Sequence, residues 1–298
     1  MLAHFTPSQK HISRLAGFAI FLFGLSTLTS LRAEPFAYVP NAGSNNVSVI
    51  DTATNTVLGT IPVGALPIGV AVAPDGSKAY IANFSSNNVS VINTSTKTVT
   101  ATVPVGATPT GVAVTPDGSK VYVANEFSNK VYVIDSATNT VVGAPIPVGA
   151  LPIGVAITPD GSKVYVSNRG SNDVYVIATA TNTVVGTIPL GVEPQGVAVT
   201  PDGSKVYVAN SSSNNVSVIA TSTNTVVGAP IPVGAIPVAL GAFIAPIHFY
   251  GQPGSPNCHG SSASALTQQF GGLAYAVERL GYASVNALQD AIKTYCGE

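Results

Sequence analysis

A regularly spaced repeat constrains this chain more than any other feature. A Tyr-x-x-Asn motif recurs five times at nearly equal intervals. The five copies start at Tyr38, Tyr80, Tyr122, Tyr165 and Tyr207. Because a fixed period of this length is the signature of a repeat architecture, the period decides the fold class.

Each unit predicts four strands, which we call A, B, C and D. Their typical sequences are Gly-Val-Ala-Val, Tyr-Val-Ala-Asn, Asn-Val-Ser-Val-Ile and Thr-Val-Val-Gly-Thr-Ile-Pro. In them β-branched and aromatic residues alternate with small or polar ones. A Pro-Asp-Gly-Ser turn joins A to B, starting at Pro74, Pro116, Pro159 and Pro201. Four strands in a unit of about 40–45 residues are typical of a β-propeller blade, so we predict an all-β propeller.

The D strands carry proline, which is tolerated at an exposed outer edge. The five prolines are Pro62, Pro104, Pro147, Pro189 and Pro232. In the third and fifth units, Ala144-Pro145 and Ala229-Pro230 replace a single threonine, which predicts a bulge.

The Tyr-x-x-Asn stretches, YVPN, YIAN, YVAN, YVSN and YVAN, resemble the YVTN family of secreted propeller repeats. The resemblance covers residues 34–247 and implies a propeller, but it implies little about activity. Members with more repeats commonly have seven blades, so this short array departs from the family pattern.

The count of strands predicts five blades. A fifth A strand follows Pro237, while the Pro-Asp-Gly turn occurs only four times. We therefore predict a five-bladed ring with 3+1 strand closure, in which residues 238–244 pair beside Tyr38, and a monomeric protein. The alternative is an open array that completes a larger ring by oligomerising.

Residues 1–33 predict a secretory signal peptide. Lys10, His11 and Arg14 precede an apolar run from Leu15 to Leu25, and Ala33 ends a stretch of small residues. An uncleaved membrane anchor is the alternative, but the run is shorter than the roughly 20 residues that a spanning helix needs. We expect an exported protein, periplasmic, extracellular or on the cell surface, with no transmembrane segment after cleavage. A formal net charge of −1 gives no footprint for nucleic acid.

Residues 248–298 predict a linker and a small helical module. Apolar residues recur at helical spacing from Leu266 to Leu280, and Ser284 is a candidate N-cap for a last helix with Val285, Leu288 and Ile292 inward. Cys258 and Cys296 flank this segment, so in an exported protein we predict a disulfide between them.

No residue pattern predicts catalysis, a metal site or a cofactor. Only His248 and His259 remain after removal of the leader, which leaves little for a Ser-His-Asp triad. Cys258-His259 lacks the Cys-x-x-Cys-His spacing of a haem or zinc site. We expect the repeated turn aspartates to serve turn geometry, and the repeated asparagines to bond to the backbone.

The repeats diverge mainly in the B-to-C and D-to-A loops, which share one face of a propeller. Large or charged residues there predict a ligand-binding patch: Phe84, Glu126, Phe127, Arg169, Glu193 and Gln195. Random drift of surface residues is the alternative explanation.

We therefore predict an exported, non-catalytic propeller that binds a protein or small molecule on this face. One alternative is an enzyme resembling the propeller lactonases or dehydrogenases, disfavoured by the few histidines and the expected shortage of inward-facing charge. The other is a structural component of the cell envelope or surface layer, favoured by the near-identical repeats.

Overall fold

The computed structural model describes residues 36–239 and 285–296. All of them lie in the larger of the two units into which the chain divides, residues 35–298. The leader, the predicted first C-terminal helix, His248, His259 and Cys258 lie outside the described residues, as does the side chain of Cys296.

Five antiparallel sheets follow one another along the chain, one for each repeat. Sheet 1 contains β1 (Phe36–Asn41), β2 (Asn46–Asp51) and β3 (Thr56–Pro62). Sheet 2 contains β4 (Pro67–Val72), β5 (Lys78–Asn83), β6 (Asn88–Asn93) and β7 (Thr98–Pro104). Sheet 3 contains β8 (Pro109–Val114), β9 (Lys120–Asn125), β10 (Lys130–Asp135), β11 (Thr140–Val141) and β12 (Ile146–Pro147).

Sheet 4 contains β13 (Pro152–Ile157), β14 (Lys163–Asn168), β15 (Asp173–Ala178) and β16 (Thr183–Pro189). Sheet 5 contains β17 (Pro194–Val199), β18 (Lys205–Asn210), β19 (Asn215–Ala220), β20 (Thr225–Val226) and β21 (Ile231–Pro232). One helix, α1 (Val285–Cys296), is described beyond the sheets.

Sheets 2 to 5 follow the predicted order A-B-C-D, and the A strands of adjacent sheets lie against one another. The extra residue of the third and fifth repeats has a larger effect than the predicted bulge, because it splits the D strand into two short pieces. Each break contains a glycine with positive φ, Gly143 or Gly228, a conformation that glycine adopts without steric cost.

Adjacent sheets pack through two kinds of apolar face. The first face, which we call the trailing face, presents one tyrosine from strand B, two valines from strand C and one Ile or Val from strand D. It packs on the leading face of the next sheet, which presents residues from its strands B and C. Between sheets 4 and 5, for example, Tyr165, Val174 and Ile188 pack with Val206 and Ile219. The same packing recurs at the other three contacts.

The turns and caps explain the repeated polar residues. The Asp117 carboxylate accepts hydrogen bonds from the Thr115 hydroxyl at 2.5 Å and the Ser119 backbone N–H at 3.0 Å. These bonds lower the pKa of Asp117 to about 2. The turn aspartates therefore serve turn geometry, as expected.

The repeated asparagines differ from the expectation at three of five positions. Asn125 donates to a backbone carbonyl of its own strand, whereas Asn168 donates both to such a carbonyl, at 3.4 Å, and to the Asp173 carboxylate, at 2.8 Å. Asn83 donates instead to the side chains of Asn88 and Ser90, at 2.8 and 2.9 Å. Asn41 and Asn210 make the same side-chain bonds.

The predicted ring closure is not confirmed. Ala239, in the segment Pro237–Ala239, lies against Gly196 of β17, where the A strand of a next sheet would lie. The segment is not assigned to a strand and pairs with no part of β1, and sheet 1 has three strands among the described residues. Residues 240–244 lie outside the described part. The count of five blades therefore stays a prediction.

The described helix begins at Val285, directly after the predicted N-cap position. Leu288 and Ile292 are buried and Val285 is half-buried. The amphipathic pattern predicted this inward face correctly. None of the described helical segments is long and apolar enough to cross a membrane.

Two valines of sheet 4 provide a test of the packing. Val174 is 0% exposed, whereas Val185 on the next strand is 53% exposed. We expect Val174→Ala to lower the free energy of unfolding by about 1.5–3 kcal/mol, since it removes buried carbons and leaves a cavity. Val185→Ala, the matched control, should change it by less than about 0.5 kcal/mol. Urea denaturation measures both, and equal losses would contradict the described packing.

Candidate functional site

Hydrogen bonds join the B-to-C loops to the D-to-A loops at one end of each sheet. The residue after the repeated asparagine donates its backbone N–H to a carbonyl of the D-to-A loop. For Arg169 the acceptor is Leu151, and for Glu126 it is Thr108, both at 2.9 Å. Consecutive sheets thereby place one variable side chain each at the same position. These residues are Phe84, Glu126, Arg169 and Ser211.

The asparagine in the B-to-C turn fixes the D-to-A loop from the other side. Asn172 has a φ of 60°, in the left-handed region that asparagine tolerates. Its side-chain oxygen accepts the backbone N–H of Glu193 at 2.9 Å. Equivalent bonds recur in the other repeats, so the variable residues stand on a rigid frame.

A cavity of about 440 Å³ lies along the A strands at this end. Its wall is mainly apolar, with Ile68, Val70, Val112, Ile153, Val155 and Val197. Glycines of three A strands also line it. A Cβ at one of them, Gly111, would overlap the Ile153 carbonyl of the next sheet. Close approach of the A strands therefore requires glycine at this position.

Four of the six predicted site residues line this cavity: Phe84, Glu126, Arg169 and Gln195. Glu126 and Arg169 are the charged residues of the cavity wall. An Arg169 Nη2 hydrogen donates to Glu126 Oε1 at 2.7 Å, with the Glu126 side chain 9% exposed and the Arg169 side chain 36% exposed. The carboxylate is thus largely removed from water and held by the guanidinium, whose remaining donors stay available.

The two phenylalanines form one aromatic cluster. The rings of Phe84 and Phe127 lie 6.4 Å apart at 67°, an edge-to-face arrangement. Phe84 is half-buried and lines the cavity, whereas Phe127 is 64% exposed and does not line it.

Gln195 and Glu193 belong to a second polar group. Gln195 Nε2 donates to the Ser211 hydroxyl at 3.0 Å, and that hydroxyl donates to the backbone carbonyl of Glu193 at 3.0 Å. The Glu193 carboxylate accepts a bond from the Ser212 hydroxyl at 2.6 Å and lies outside the cavity lining. The structure therefore places Glu193 and Phe127 on the rim.

The expected shortage of inward charge is wrong, because Glu126 and Arg169 both face the cavity. Sequence divergence singled out Glu126, Arg169 and Gln195 of the cavity lining but missed its apolar wall. Alternation along the A strands could have indicated it, since Ile153 and Val155 are two residues apart and share one face. Among the described residues, no group of three or more His, Cys, Asp or Glu side chains could hold a metal ion.

Comparison with known proteins supports a propeller. A family model described as a lactonase, 7-bladed β-propeller, matches residues 93–228, which include Glu126 and Arg169 but not Phe84. A PE-PGRS family protein of Mycobacterium tuberculosis, PE_PGRS18, is 65% identical over 37 residues. That match covers 12% of this chain and 8% of the relative.

Solved structures show the same architecture. The fold resembles hydrazine synthase of Kuenenia stuttgartiensis at a TM-score of 0.59 and 27% identity, over 67% of this chain and 64% of that one. A protein of unknown function from Desulfotomaculum acetoxidans has a TM-score of 0.62 at 20% identity, over 68% of this chain and 67% of that one. A provisionally assigned 6-phosphogluconolactonase from Bacteroides uniformis has a TM-score of 0.61 at 19% identity, over 69% of this chain and 70% of that one.

The described strands form an all-β, propeller-like fold. The likenesses to the Desulfotomaculum and Bacteroides proteins concern the fold alone, because their sequence identities are low. This chain spans less than two thirds of the hydrazine synthase chain. The family model is that of a seven-bladed ring, whereas five sheets are described here.

The ion pair provides a test of the site. We expect Arg169→Ala to lower the free energy of unfolding by about 1–2 kcal/mol, because it leaves the Glu126 carboxylate largely buried without its partner. The double variant Glu126→Gln/Arg169→Ala should recover most of that loss, since the remaining amide carries no charge. Denaturation of both variants measures the coupling, and a double variant no more stable than Arg169→Ala would contradict it.

Proposed function

We propose that this protein binds a small, uncharged, carbonyl-bearing ligand in the cavity. The observation that carries the proposal is the Glu126–Arg169 pair set in an apolar wall. The pair has no net charge, yet it offers guanidinium donors to a carbonyl oxygen and a carboxylate acceptor to a hydroxyl. The valine and isoleucine side chains of the wall suit an apolar body, and a volume of about 440 Å³ suits a small molecule.

Lactones are the class that best combines these features, and the match to the lactonase model supports this choice. A cyclic ester has a carbonyl that can accept from Arg169 and, with an alkyl substituent, an apolar body for Ile153 and Val155. We therefore choose δ-decalactone and a lactam of the same ring size, which resists hydrolysis, as probes.

Isothermal titration calorimetry of the lactam tests the binding proposal. We expect Arg169→Gln to weaken binding at least about tenfold, because a hydrogen bond to a charged group contributes about 1.5–3 kcal/mol. The rim variant Phe127→Ala/Glu193→Ala is the control and should bind almost normally, since neither side chain lines the cavity. Loss of binding in the rim variant alone would favour the exposed patch instead. Equal binding by wild type and Arg169→Gln would remove the cavity from consideration.

The second candidate function is hydrolysis of such a lactone, favoured by the same family model and by a carboxylate in the cavity. Glu126 would accept a proton as water attacks the lactone carbonyl carbon, and Arg169 would stabilise the developing oxyanion. The ring C–O bond would then break, and the proton would pass from Glu126 to the leaving alkoxide to give a hydroxy acid. We expect a hydrolase to release acid from δ-decalactone in a pH-stat, and Glu126→Gln to abolish that release. Lactone recovered unchanged after binding would support the binding function and exclude hydrolysis of this probe.

The finer expectations from the sequence belong to this proposal. They are a YVTN-type repeat, a cleaved signal peptide over residues 1–33, export from the cytoplasm and a disulfide between Cys258 and Cys296. The near identity of the repeats also keeps a structural role in the cell envelope as an alternative. The cross-linking experiment below distinguishes closure at five blades from an open array that oligomerises.

A further inference from the structure

A lysine at the start of strand B connects adjacent sheets. Lys163 Nζ of sheet 4 donates to the backbone carbonyl of Thr221 at 2.6 Å and to Asn224 Oδ1 at 3.3 Å, both in the C-to-D turn of sheet 5. Lys120 makes the backbone contact from sheet 3 to sheet 4, at Thr179. Lys78 of sheet 2 contacts Ser136 and Asn139 of sheet 3 in the same way. Each of these contacts joins one lysine to the turn that follows strand C in the next sheet.

Between sheets 1 and 2, the lysine comes from the turn of the following sheet instead of from strand B of the preceding one. Phe36 occupies the lysine position of sheet 1, and Lys97 occupies the asparagine position of sheet 2. The Lys97 ammonium lies 5.1 Å from the centre of the Phe36 ring, a cation–π contact. Every described contact between sheets therefore contains one lysine from this pair of positions.

The two ends of the described array carry one member each of this pair of positions. Sheet 5 has Lys205 at the lysine position, and sheet 1 has Asn55 at the asparagine position. Both residues are exposed, whereas Lys163 and Asn224 are half-buried. The donor left over at one end fits the acceptor position at the other.

The apolar faces at the two ends match in the same way. On the trailing face of sheet 5, Ile231 is 45% exposed, although its equivalents at the other contacts are 3–5% exposed. These equivalents are Ile61, Val103, Ile146 and Ile188. On the leading face of sheet 1, Val39 is 42% exposed, although its equivalents are 0% exposed. These equivalents are Ile81, Val123, Val166 and Val208.

We propose that the trailing face of sheet 5 docks on the leading face of sheet 1 of a second copy of this chain. Among the described residues, Ile231 and Val39 are the exposed members of these faces, whereas Tyr207 and Val216 of the trailing face are half-buried and Val218 is buried. A second copy would bring the matching face to each end. Exposed apolar faces of this kind mark interaction sites. The docking would repeat the packing already present between adjacent sheets, with Lys205 directed to Asn55.

Since each copy carries one face of each kind, the association is head-to-tail and can extend beyond two copies. It goes beyond the proposed ligand binding and departs from the monomer expected from the sequence. Closure of one chain on itself would use the same two faces, so the experiment must distinguish the two arrangements.

Cross-linking with a carbodiimide tests the contact in the full-length mature protein. We use Asn55→Asp, mix equal amounts of ¹⁴N and ¹⁵N protein, and look for the peptide joined between positions 55 and 205. The control is Asn224→Asp, which should join to Lys163 within each chain.

Joined 55–205 peptides with mixed isotopes support docking between copies. Joined peptides of a single isotope only would overturn it in favour of a ring closed within one chain. Absence of the 55–205 peptide while the control peptide forms would overturn the contact itself.

Sedimentation equilibrium provides a second measurement with a matched control. We expect the wild type to form dimers and larger species at micromolar concentration, and Ile231→Asp to raise the dissociation constant at least about tenfold, because docking would bury an unpaired carboxylate. Val185→Asp adds the same charge at a residue of sheet 4 that is 53% exposed and lies away from both end faces. It should associate like the wild type. A monomeric wild type, or equal weakening in both variants, would overturn the proposal.

Discussion

The packing of one sheet on the next is the interaction on which the rest of this structure depends. A single sheet of four short strands has two apolar faces and cannot bury either by itself. The tyrosine, the two valines and the Ile or Val of a trailing face pack against the leading face of the following sheet. This pairwise packing brings the A strands together and thereby forms the wall of the cavity. It also leaves Val39 and Ile231 exposed at the two ends of the described array.

The same regularity explains why a site can exist on so repetitive a scaffold. The asparagine bonds of the B-to-C turns and the backbone bonds to the D-to-A loops recur from sheet to sheet. They hold the residue after each Tyr-x-x-Asn motif at an equivalent place, whichever side chain it carries. Glu126 and Arg169 occupy this place in neighbouring sheets, so they meet at 2.7 Å. The frame is shared by all repeats, and the chemistry depends on the residues that differ.

The end faces and the cavity lead to different functional consequences. The cavity offers a neutral, mixed donor and acceptor site to a small molecule, whereas the end faces offer apolar surface and one lysine contact to another sheet of the same kind. Variants at Arg169 and at Ile231 therefore separate ligand binding from association. A head-to-tail assembly would present many cavities along one array, which is compatible with the envelope role left open by the sequence.

Periodicity by itself determined the four-strand unit, the turn aspartates and the inward residues of α1, because these depend on local alternation and turn chemistry. Divergence from the repeat also singled out Phe84, Glu126, Arg169 and Gln195, which line one cavity, since a symmetric template makes unusual residues visible. Only the tertiary structure decided that Glu126 and Arg169 form a pair, that Phe127 and Glu193 stay on the rim, and that the apolar wall comes from four A strands. These features depend on the distance and rotation between sheets, which no local pattern encodes. For the same reason the strand count predicted a closed ring, while the described sheets leave Val39 and Ile231 exposed.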